Sequence, residues 1–301
     1  MTPALLHRLG TFAATLAGIL LLTFAFLHWL PGDPAQLYAG EEATAEDLER
    51  VRRRLGLDQP LPLQFAAYSG RLLAGDLGHS LRSGAPVSRE IASRVPTTLR
   101  LAGLSLFIGL ALALPAGTAA AVNPGGLWAR ITDWGCLVLL ATPVYWLGLL
   151  LILGFSVSWR LLPPGGSEGW AHFVLPSLAL GAHTGAATAR ILKSSLIDVL
   201  GRPYLRTARG KGAPPGRVHW VHALPNAAVP VITFLGMETG RLLGGAVLTE
   251  TVFSLNGLGR FLVTSIVFRD FPCVLGAVLV MAAGVTCANM AADALCALLR
   301  R

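Results

Sequence analysis

Charged side chains are scarce in this chain. Of its 301 residues, 24 are Lys or Arg and 16 are Asp or Glu, so that 13% are charged, against about 25% in an ordinary soluble domain. A soluble protein of this length could not cover its surface with so few charges, which argues against a water-soluble enzyme. The hydrophobic fraction of 53% also excludes an intrinsically disordered chain.

Cysteine and the familiar catalytic motifs are also sparse. The four cysteines, at positions 136, 273, 287 and 296, show no C-x-x-C spacing, which indicates buried free thiols and neither a zinc site nor a disulfide framework. The sequence contains no G-x-x-x-x-G-K-[ST] stretch, no G-x-S-x-G and no clustered set of His and carboxylate residues. We therefore predict no catalytic residue, no metal site and no cofactor in this chain, which cannot hydrolyse ATP alone.

Long runs without charge dominate what is there. Uncharged runs of 24, 29, 26, 21 and 22 residues cover 9–32, 101–129, 134–159, 169–189 and 271–292, and each exceeds the roughly 18 residues that a helix needs to cross a bilayer core. A sixth apolar stretch, 224–249, carries Glu238 and Arg241 inside it. Because helices satisfy their own backbone hydrogen bonds in lipid, we predict an all-α polytopic membrane protein with six transmembrane helices. The first run is too long for a signal-peptide core, so we expect it to be an uncleaved span.

The basic residues predict the orientation. With six spans and an internal N-terminus, the cytoplasmic segments hold eleven Lys and Arg residues and the short outer loops hold three. The positive-inside rule then places both termini in the cytoplasm. Loops facing anionic lipid account for the net charge of +8, so membrane lipid, and not nucleic acid, is the expected partner of the basic residues.

The spans divide the chain into three regions. Residues 1–30 hold the cytoplasmic N-terminus and first span, 31–96 form an extracytoplasmic insertion, and 97–301 form a five-helix core with a cytoplasmic loop at about 194–225. In the insertion, Thr44 as N-cap with Asp47 three residues later, and Gly56 as a stop signal, predict a helix. We therefore expect the insertion to be a small helical cap.

The cytoplasmic loop and the charged span carry the candidate functional residues. In the loop, Tyr204 to Gly212 form a short basic helical pattern that ends before Pro214-Pro215. It is either a solvated loop whose arginines only enforce topology or a helix that docks on a partner. In the span, Glu238 and Arg241 lie three residues apart on one helical face, where they either line a pore or form a structural pair.

The loop residues resemble a known family. They are similar to the "EAA" loop of bacterial binding-protein-dependent ABC importer permeases, in the dipeptide, oligopeptide and nickel branch, although Arg206-Thr207-Ala208 stands where the wider superfamily shows Glu-Ala-Ala. The motifs that carry the resemblance are, in order, Pro31-Gly32-Asp33-Pro34-Ala35, Leu55-Gly56-Leu57-Asp58-Gln59-Pro60-Leu61-Pro62, Gly75-Asp76-Leu77-Gly78-His79-Ser80-Leu81-Arg82, Leu162-Pro163-Pro164-Gly165-Gly166, Tyr204-Leu205-Arg206-Thr207-Ala208-Arg209-Gly210-Lys211-Gly212, His222-Ala223-Leu224-Pro225-Asn226-Ala227, Gly244-Gly245-Ala246-Val247-Leu248-Thr249-Glu250-Thr251-Val252-Phe253 and Gly257-Leu258-Gly259-Arg260.

The resemblance implies a type I ABC importer permease fold in the bacterial inner membrane. Its expected partners are a second homologous permease, two cytoplasmic ABC ATPases that bind ATP and Mg, and an extracytoplasmic substrate-binding protein. The implied function is to form half of a channel for di-/oligopeptides, nickel or nickel chelates. The implied ATPase-coupling residues are Tyr204, Arg206, Thr207, Ala208, Arg209, Lys211 and Gly212, and the candidate pore-lining residues are Glu238 and Arg241.

Two other functions compete with this interpretation. A secondary active transporter that works without an ATPase would need inverted repeats and ion-binding residues at the membrane midplane, and the sequence shows no internal repeat. An intramembrane enzyme would need paired catalytic groups at helical spacing, which are also missing from the sequence.

Overall fold

The structure, a computed structural model, describes residues 3–29, 35 and 43–299. Within these residues it consists of helices and turns with one isolated bridge between His79 and Pro86, which confirms the prediction of an all-α protein. Outside the described residues lie 31–34, which belong to a family motif, 36–42 of the predicted insertion, and the terminal pair Arg300 and Arg301. The helices are, in chain order, α1 (Pro3–Trp29), α2 (Ala45–Leu55), α3 (Leu61–Leu73), α4 (Val87–Val122), α5 (Leu127–Ala141), α6 (Val144–Leu151) with a π-helical continuation (Ile152–Ser158), α7 (Ala171–Leu200), α8 (Pro203–Gly210), a single turn (Pro215–Arg217) with a π-helical continuation (Val218–Ala223), α9 (Leu224–Gly245), α10 (Val247–Val252), α11 (Leu258–Val267) and α12 (Phe271–Leu299).

Several helices are long and apolar enough to cross a bilayer. Among the described residues these are Val87–Val122, Pro215–Leu243 and Phe271–Leu295, with a fourth span if the pair Leu127–Ala141 and Val144–Ser158 counts as one. Helix α1 contains a shorter apolar stretch, Gly10–Ala25. These helices support a multi-pass membrane protein, and the count of six spans stays a prediction.

The third predicted span, 134–159, is not one straight helix. The helix breaks at Thr142-Pro143, and the two arms, Leu127–Ala141 and Val144–Ser158, meet at a bend of 101°. Thr142 adopts extended backbone angles, because the ring of a following proline disfavours the helical conformation of the residue before it. This uncharged run therefore forms two helical arms joined at Thr142-Pro143.

The chain forms two compact units. Unit 1 comprises Met1–Pro96 with Gly257–Gly284, and unit 2 comprises Thr97–Asn256 with Val285–Arg301. The division of the sequence into 1–30, 31–96 and 97–301 describes placement across a membrane, and it stays a prediction.

Unit 1 has its core between α1, α3 and the start of α12. Leu20 and Phe24 from α1 pack with Tyr68 from α3 and with buried aliphatic residues of α12. The rings of Phe24 and Phe65 meet edge to face, with centroids 5.3 Å apart. The Tyr68 hydroxyl is buried without a hydrogen-bond partner among the described residues, and this burial raises the pKa of Tyr68 to about 12.

Helix α2 begins and ends as its sequence predicts. The Thr44 side chain accepts a hydrogen bond from the Asp47 amide while the Asp47 carboxylate accepts one from the Thr44 amide, so that both form a capping box. These hydrogen bonds lower the pKa of the exposed Asp47 carboxyl below its ordinary value. At the other end Gly56 takes the left-handed conformation, with φ 69°, which suits a helix stop.

Unit 2 is organised by a close crossing of α4 and α7. A side chain on Gly109 would reach within 3.1 Å of the Gly181 carbonyl oxygen, and one on Gly117 would reach within 2.8 Å of the Ala189 carbonyl oxygen. A side chain on Gly185 would lie 2.9 Å from the Gly109 carbonyl oxygen. Small residues on both helices therefore let the two backbones touch, as in close helix pairs within membranes.

Candidate functional site

Helix α8 is held in place by one leucine. Leu205 is fully buried in an apolar cluster that includes Leu192 and Leu196 from α7 and Val218 and Ala223 from the π-helical segment. The other described residues of α8 are exposed or half-buried. The helix is therefore a surface element that packs through Leu205 against the end of α7 and against the π-helical segment before α9.

The end of α8 depends on a glycine conformation. Gly212 has φ 81°, which side-chain-bearing residues adopt only at a cost. The amides of Lys211, Gly212 and Ala213 donate to carbonyls within α8, at 3.0, 3.0 and 3.2 Å, so the last carbonyls are satisfied as the chain turns. This confirms the predicted stop at Gly212 and fixes the direction in which the chain leaves the helix.

The exposed face of α8 is cationic. Arg206 and Arg209 project from the helix into solvent, Lys211 follows at its end, and Thr207 is exposed between them. In the part of the chain that the structure describes, none of these three cations forms an ion pair. The surface thus offers several unpaired positive charges to an acidic partner.

The remaining predicted loop residues flank this cationic face. Tyr204 is partly exposed, and its hydroxyl lies 3.5 Å from the His222 carbonyl oxygen. Ala208 is half-buried. All seven predicted loop residues therefore belong to one short helix and its exit turn. Because α7 continues to Leu200 and α9 begins at Leu224, the segment that connects them is shorter than the 194–225 loop drawn from the sequence.

Glu238 and Arg241 form an ion pair on α9 in which one guanidinium N–H is shared between both carboxylate oxygens. The Arg241 Nε lies 3.0 Å from Oε1 and 2.8 Å from Oε2 of Glu238. The Glu238 side chain is 10% exposed and that of Arg241 is 48% exposed. The carboxylate is thus covered and neutralised from its own helix, while the guanidinium reaches the surface of unit 2.

The glycines beside this pair serve close packing within the chain. A side chain on Gly236 would collide with Ala292, and one on Gly240 would lie 3.1 Å from Val285 and 3.3 Å from the Asn289 Oδ1. Both glycines therefore bring α9 against the second half of α12. The ion pair is held on a helix with little freedom to shift.

Two carboxylates are buried in contacts that the sequence did not predict. In unit 2, Glu250 is fully buried and accepts a 2.7 Å hydrogen bond from the Thr98 hydroxyl. In unit 1, Asp270 is buried and accepts from the Ser80 hydroxyl at 2.5 Å and from the Leu81 amide at 3.1 Å. In each case the partner lies more than 150 residues away in the sequence, so no local pattern predicts the contact.

The helical fold, the membrane-length apolar helices and the solvent-facing cationic helix before α9 match the class that the loop motifs resemble, the membrane permease subunits of type I ABC importers. Solved structures show the same fold. The chain superposes on a methionine ABC transporter, MetNI, in an inward-facing conformation with a TM-score of 0.59 and 19% identity, over 70% of this chain and 96% of that chain. An amino acid ABC transporter solved with histidines gives a TM-score of 0.52 and 20% identity, over 70% of this chain and 92% of that chain.

Comparison with known sequences identifies the family. Residues 113–301 match the family of binding-protein-dependent transport system inner membrane components, and residues 1–102 match its N-terminal companion family. The chain is 42% identical over 290 residues to the glutathione transport system permease protein GsiC of Salmonella typhimurium strain LT2 and of Escherichia coli strain K12, covering 96% of this chain and 95% of each relative. The chain therefore belongs to the binding-protein-dependent transport system inner membrane component family.

Membership settles the broad function. The chain is a multi-pass inner-membrane permease subunit of an ABC importer, and its family consists of membrane permeases, not of enzymes. The resemblance stated from the loop motifs is confirmed. Nothing in these findings supports the alternative of a secondary transporter. The family implies a partner permease, ATPase subunits and a substrate-binding protein.

Proposed function

We propose that this subunit forms half of a channel that imports small peptides, with glutathione-like tripeptides as the leading substrates. Support comes from the GsiC relatives, which are named for glutathione transport and match almost the whole chain at 42% identity. Nickel and nickel chelates, which the branch-level resemblance also allowed, have no comparable support. We further propose six spans with both termini in the cytoplasm, since the basic residues concentrate in the segments that this topology places inside.

The proposed coupling element is α8. A short helix can pass force to the spans only if it is fixed to them, and Leu205 supplies that attachment to α7 and to the segment before α9. A rigid-body movement of a docked ATPase would then shift the ends of both spans together. The unpaired charges of Arg206, Arg209 and Lys211 favour an acidic groove on the ATPase as the docking site. ATP and Mg are expected on those ATPase subunits.

A charge-reversal experiment tests this coupling role. In cells that carry the complete importer, Arg209→Glu should reduce uptake of labelled glutathione at least tenfold while the chain remains in the membrane, because reversing the charge repels an acidic partner. Arg130→Glu is the matched control, since Arg130 is also exposed and predicted cytoplasmic but lies outside α8. Equal uptake by the two variants would contradict the assignment.

The substrate class is tested by uptake measurements in deletion strains. Uptake of labelled glutathione, of a labelled dipeptide and of radioactive nickel is measured with and without this gene, and with and without the ATPase gene. We expect both deletions to abolish the same peptide uptake. Loss of nickel uptake alone would refute the peptide assignment, and uptake that persists without the ATPase would refute ATP-driven import.

The Glu238–Arg241 pair is proposed to line the translocation path. The exposed half of Arg241 supports this role, because a guanidinium oriented by a carboxylate can receive the carboxylate of a passing peptide. Glu238→Gln should change the apparent affinity for peptide uptake more than fivefold without lowering the amount of assembled complex. Equal loss of uptake and of assembly would indicate a purely structural pair.

A further inference from the structure

An apolar groove in unit 1 is not accounted for by peptide import. It lies between α1, α11 and the beginning of α12 and has a volume of about 590 Å³, within the range of about 300–1,000 Å³ that is typical of small-molecule sites. Its walls are aliphatic and aromatic apart from Thr23 and Arg269. A peptide, with its charged termini and backbone amides, would find almost no polar partner on these walls.

The two ends of the groove differ in polarity. Trp29 is the last residue of α1 and is 87% exposed, and Arg269 lies two residues before the first residue of α12. From this rim the groove reaches Leu22 on α1 and Val278 on α12. Each lies seven residues from its helix end, which corresponds to about 10 Å along a helix. The groove therefore has a polar, aromatic mouth and an apolar interior that runs along α1 and α12.

The mouth carries an unpaired positive charge. Arg269 is exposed and forms no ion pair with any of the residues that the structure describes. Its backbone is held at φ 52° by the turn between α11 and α12, and its amide donates to the Ile266 carbonyl at 3.0 Å. The backbone of Arg269 is thus held at the groove mouth, and its exposed side chain is open to an external anion.

We propose that this groove binds an anionic phospholipid, with an acyl chain between α1 and α12 and the headgroup phosphate at Arg269. Three observations together support a lipid. The interior is lined mostly by hydrocarbon side chains, an exposed tryptophan ends α1, as is typical where a span reaches the membrane interface, and the mouth carries a cation that attracts anionic headgroups. The chain is an inner-membrane protein, so phospholipids surround it in the bilayer. The site requires only this membrane location and is independent of the transported substrate.

The test compares lipid retention by the complete importer. The complex is reconstituted in nanodiscs of equal amounts of phosphatidylglycerol and phosphatidylcholine, stripped mildly, and analysed by native mass spectrometry for retained lipid. Wild type should retain phosphatidylglycerol in preference to phosphatidylcholine. Arg269→Gln should reduce this preference about fivefold, the effect of about one cation at a membrane surface, and Arg269→Lys should largely preserve it.

The chain offers a matched control. Arg160 is also exposed, has φ 53° and follows an exposed tryptophan, Trp159, but it borders no part of this groove. Arg160→Gln should therefore leave the preference unchanged. Ala25→Trp fills the groove from an exposed wall position without altering charge, and it should reduce the retained phosphatidylglycerol to the level of phosphatidylcholine.

Three results would overturn the proposal. The first is an absence of preference in wild type, and the second is an equal effect of Arg269→Gln and Arg160→Gln. The third is full retention by Ala25→Trp, which would mean that lipid binds elsewhere and that the groove has another occupant, such as a helix of the partner permease. Size-exclusion chromatography of each variant checks that the complex has assembled.

Discussion

Truncation of Leu205 to alanine should detach α8 from the membrane core. Leu205 is fully buried, and replacement of a buried leucine by alanine costs about 2–5 kcal/mol. Helix α8 has only 8 residues, and isolated helices shorter than about 12 residues are marginal in water. The helix therefore has little stability of its own. A loss of about 2 kcal/mol should mainly lower the free energy that holds α8 against the rest of unit 2, which raises the detached population about thirtyfold.

Hydrogen exchange of the purified complex measures this detachment directly. The backbone amides of α8 should exchange about thirtyfold faster in Leu205→Ala than in wild type, while those of α4 should be unaffected, because exchange reports the local opening free energy. The amount of peptide transported per ATP hydrolysed should fall at the same time. Leu161→Ala is the control, since the same atoms are removed from a leucine that is 67% exposed. Unchanged exchange in α8 would refute the anchoring role, and normal transport despite faster exchange would refute the coupling role.

Three further predictions concern stability. Gly212→Ala should weaken ATP-coupled transport, because a side chain at φ 81° destabilises the end of α8 by about 1–2 kcal/mol. Gly210→Ala lies inside α8 with open space around it and should stabilise the helix by about 0.5–1 kcal/mol. The hydrogen-exchange rates of the α8 amides should therefore rise in the first variant and fall in the second. Gly117→Ala should lower the melting temperature of the detergent-solubilised protein, since its methyl would press on the Ala189 backbone, and Gly135→Ala, which meets nothing within 4 Å, should not. The pKa of Tyr68 is about 12 in the folded protein and about 10 in an unfolded chain, so the free energy of unfolding falls as pH rises from 10 towards 12. Tyr68→Phe should abolish that loss in alkaline unfolding curves. An unchanged curve would contradict the burial of the hydroxyl.

Local features of this chain were predictable from the sequence. The capping box of Thr44 and Asp47, the glycine stops at Gly56 and Gly212, and the Glu238–Arg241 pair all involve residues within a few positions of each other. Their energetics depend on helix geometry alone, and a sequence carries that information directly.

Features that depend on the meeting of distant segments were not predictable. The contact of Thr98 with Glu250 joins residues 152 positions apart. The crossing of α4 on α7 had a partial signal, since Gly181 and Gly185 have the four-residue spacing typical of close helix pairs, but the sequence does not show which helix they meet. The bend at Thr142-Pro143 also had a signal in the proline, and the long uncharged run around it concealed the break.

Docking of α8 on an ATPase, on which the proposed coupling role depends, can be measured by site-specific crosslinking. A photoreactive amino acid is placed at position 206 or 209 in the complete importer, and at position 130 as the control. We expect a covalent adduct with the ATPase subunit from positions 206 and 209, with a yield that changes when ATP is bound, and little adduct from position 130. An importer that transports peptide normally but gives no ATPase adduct from either α8 position would rule out this docking.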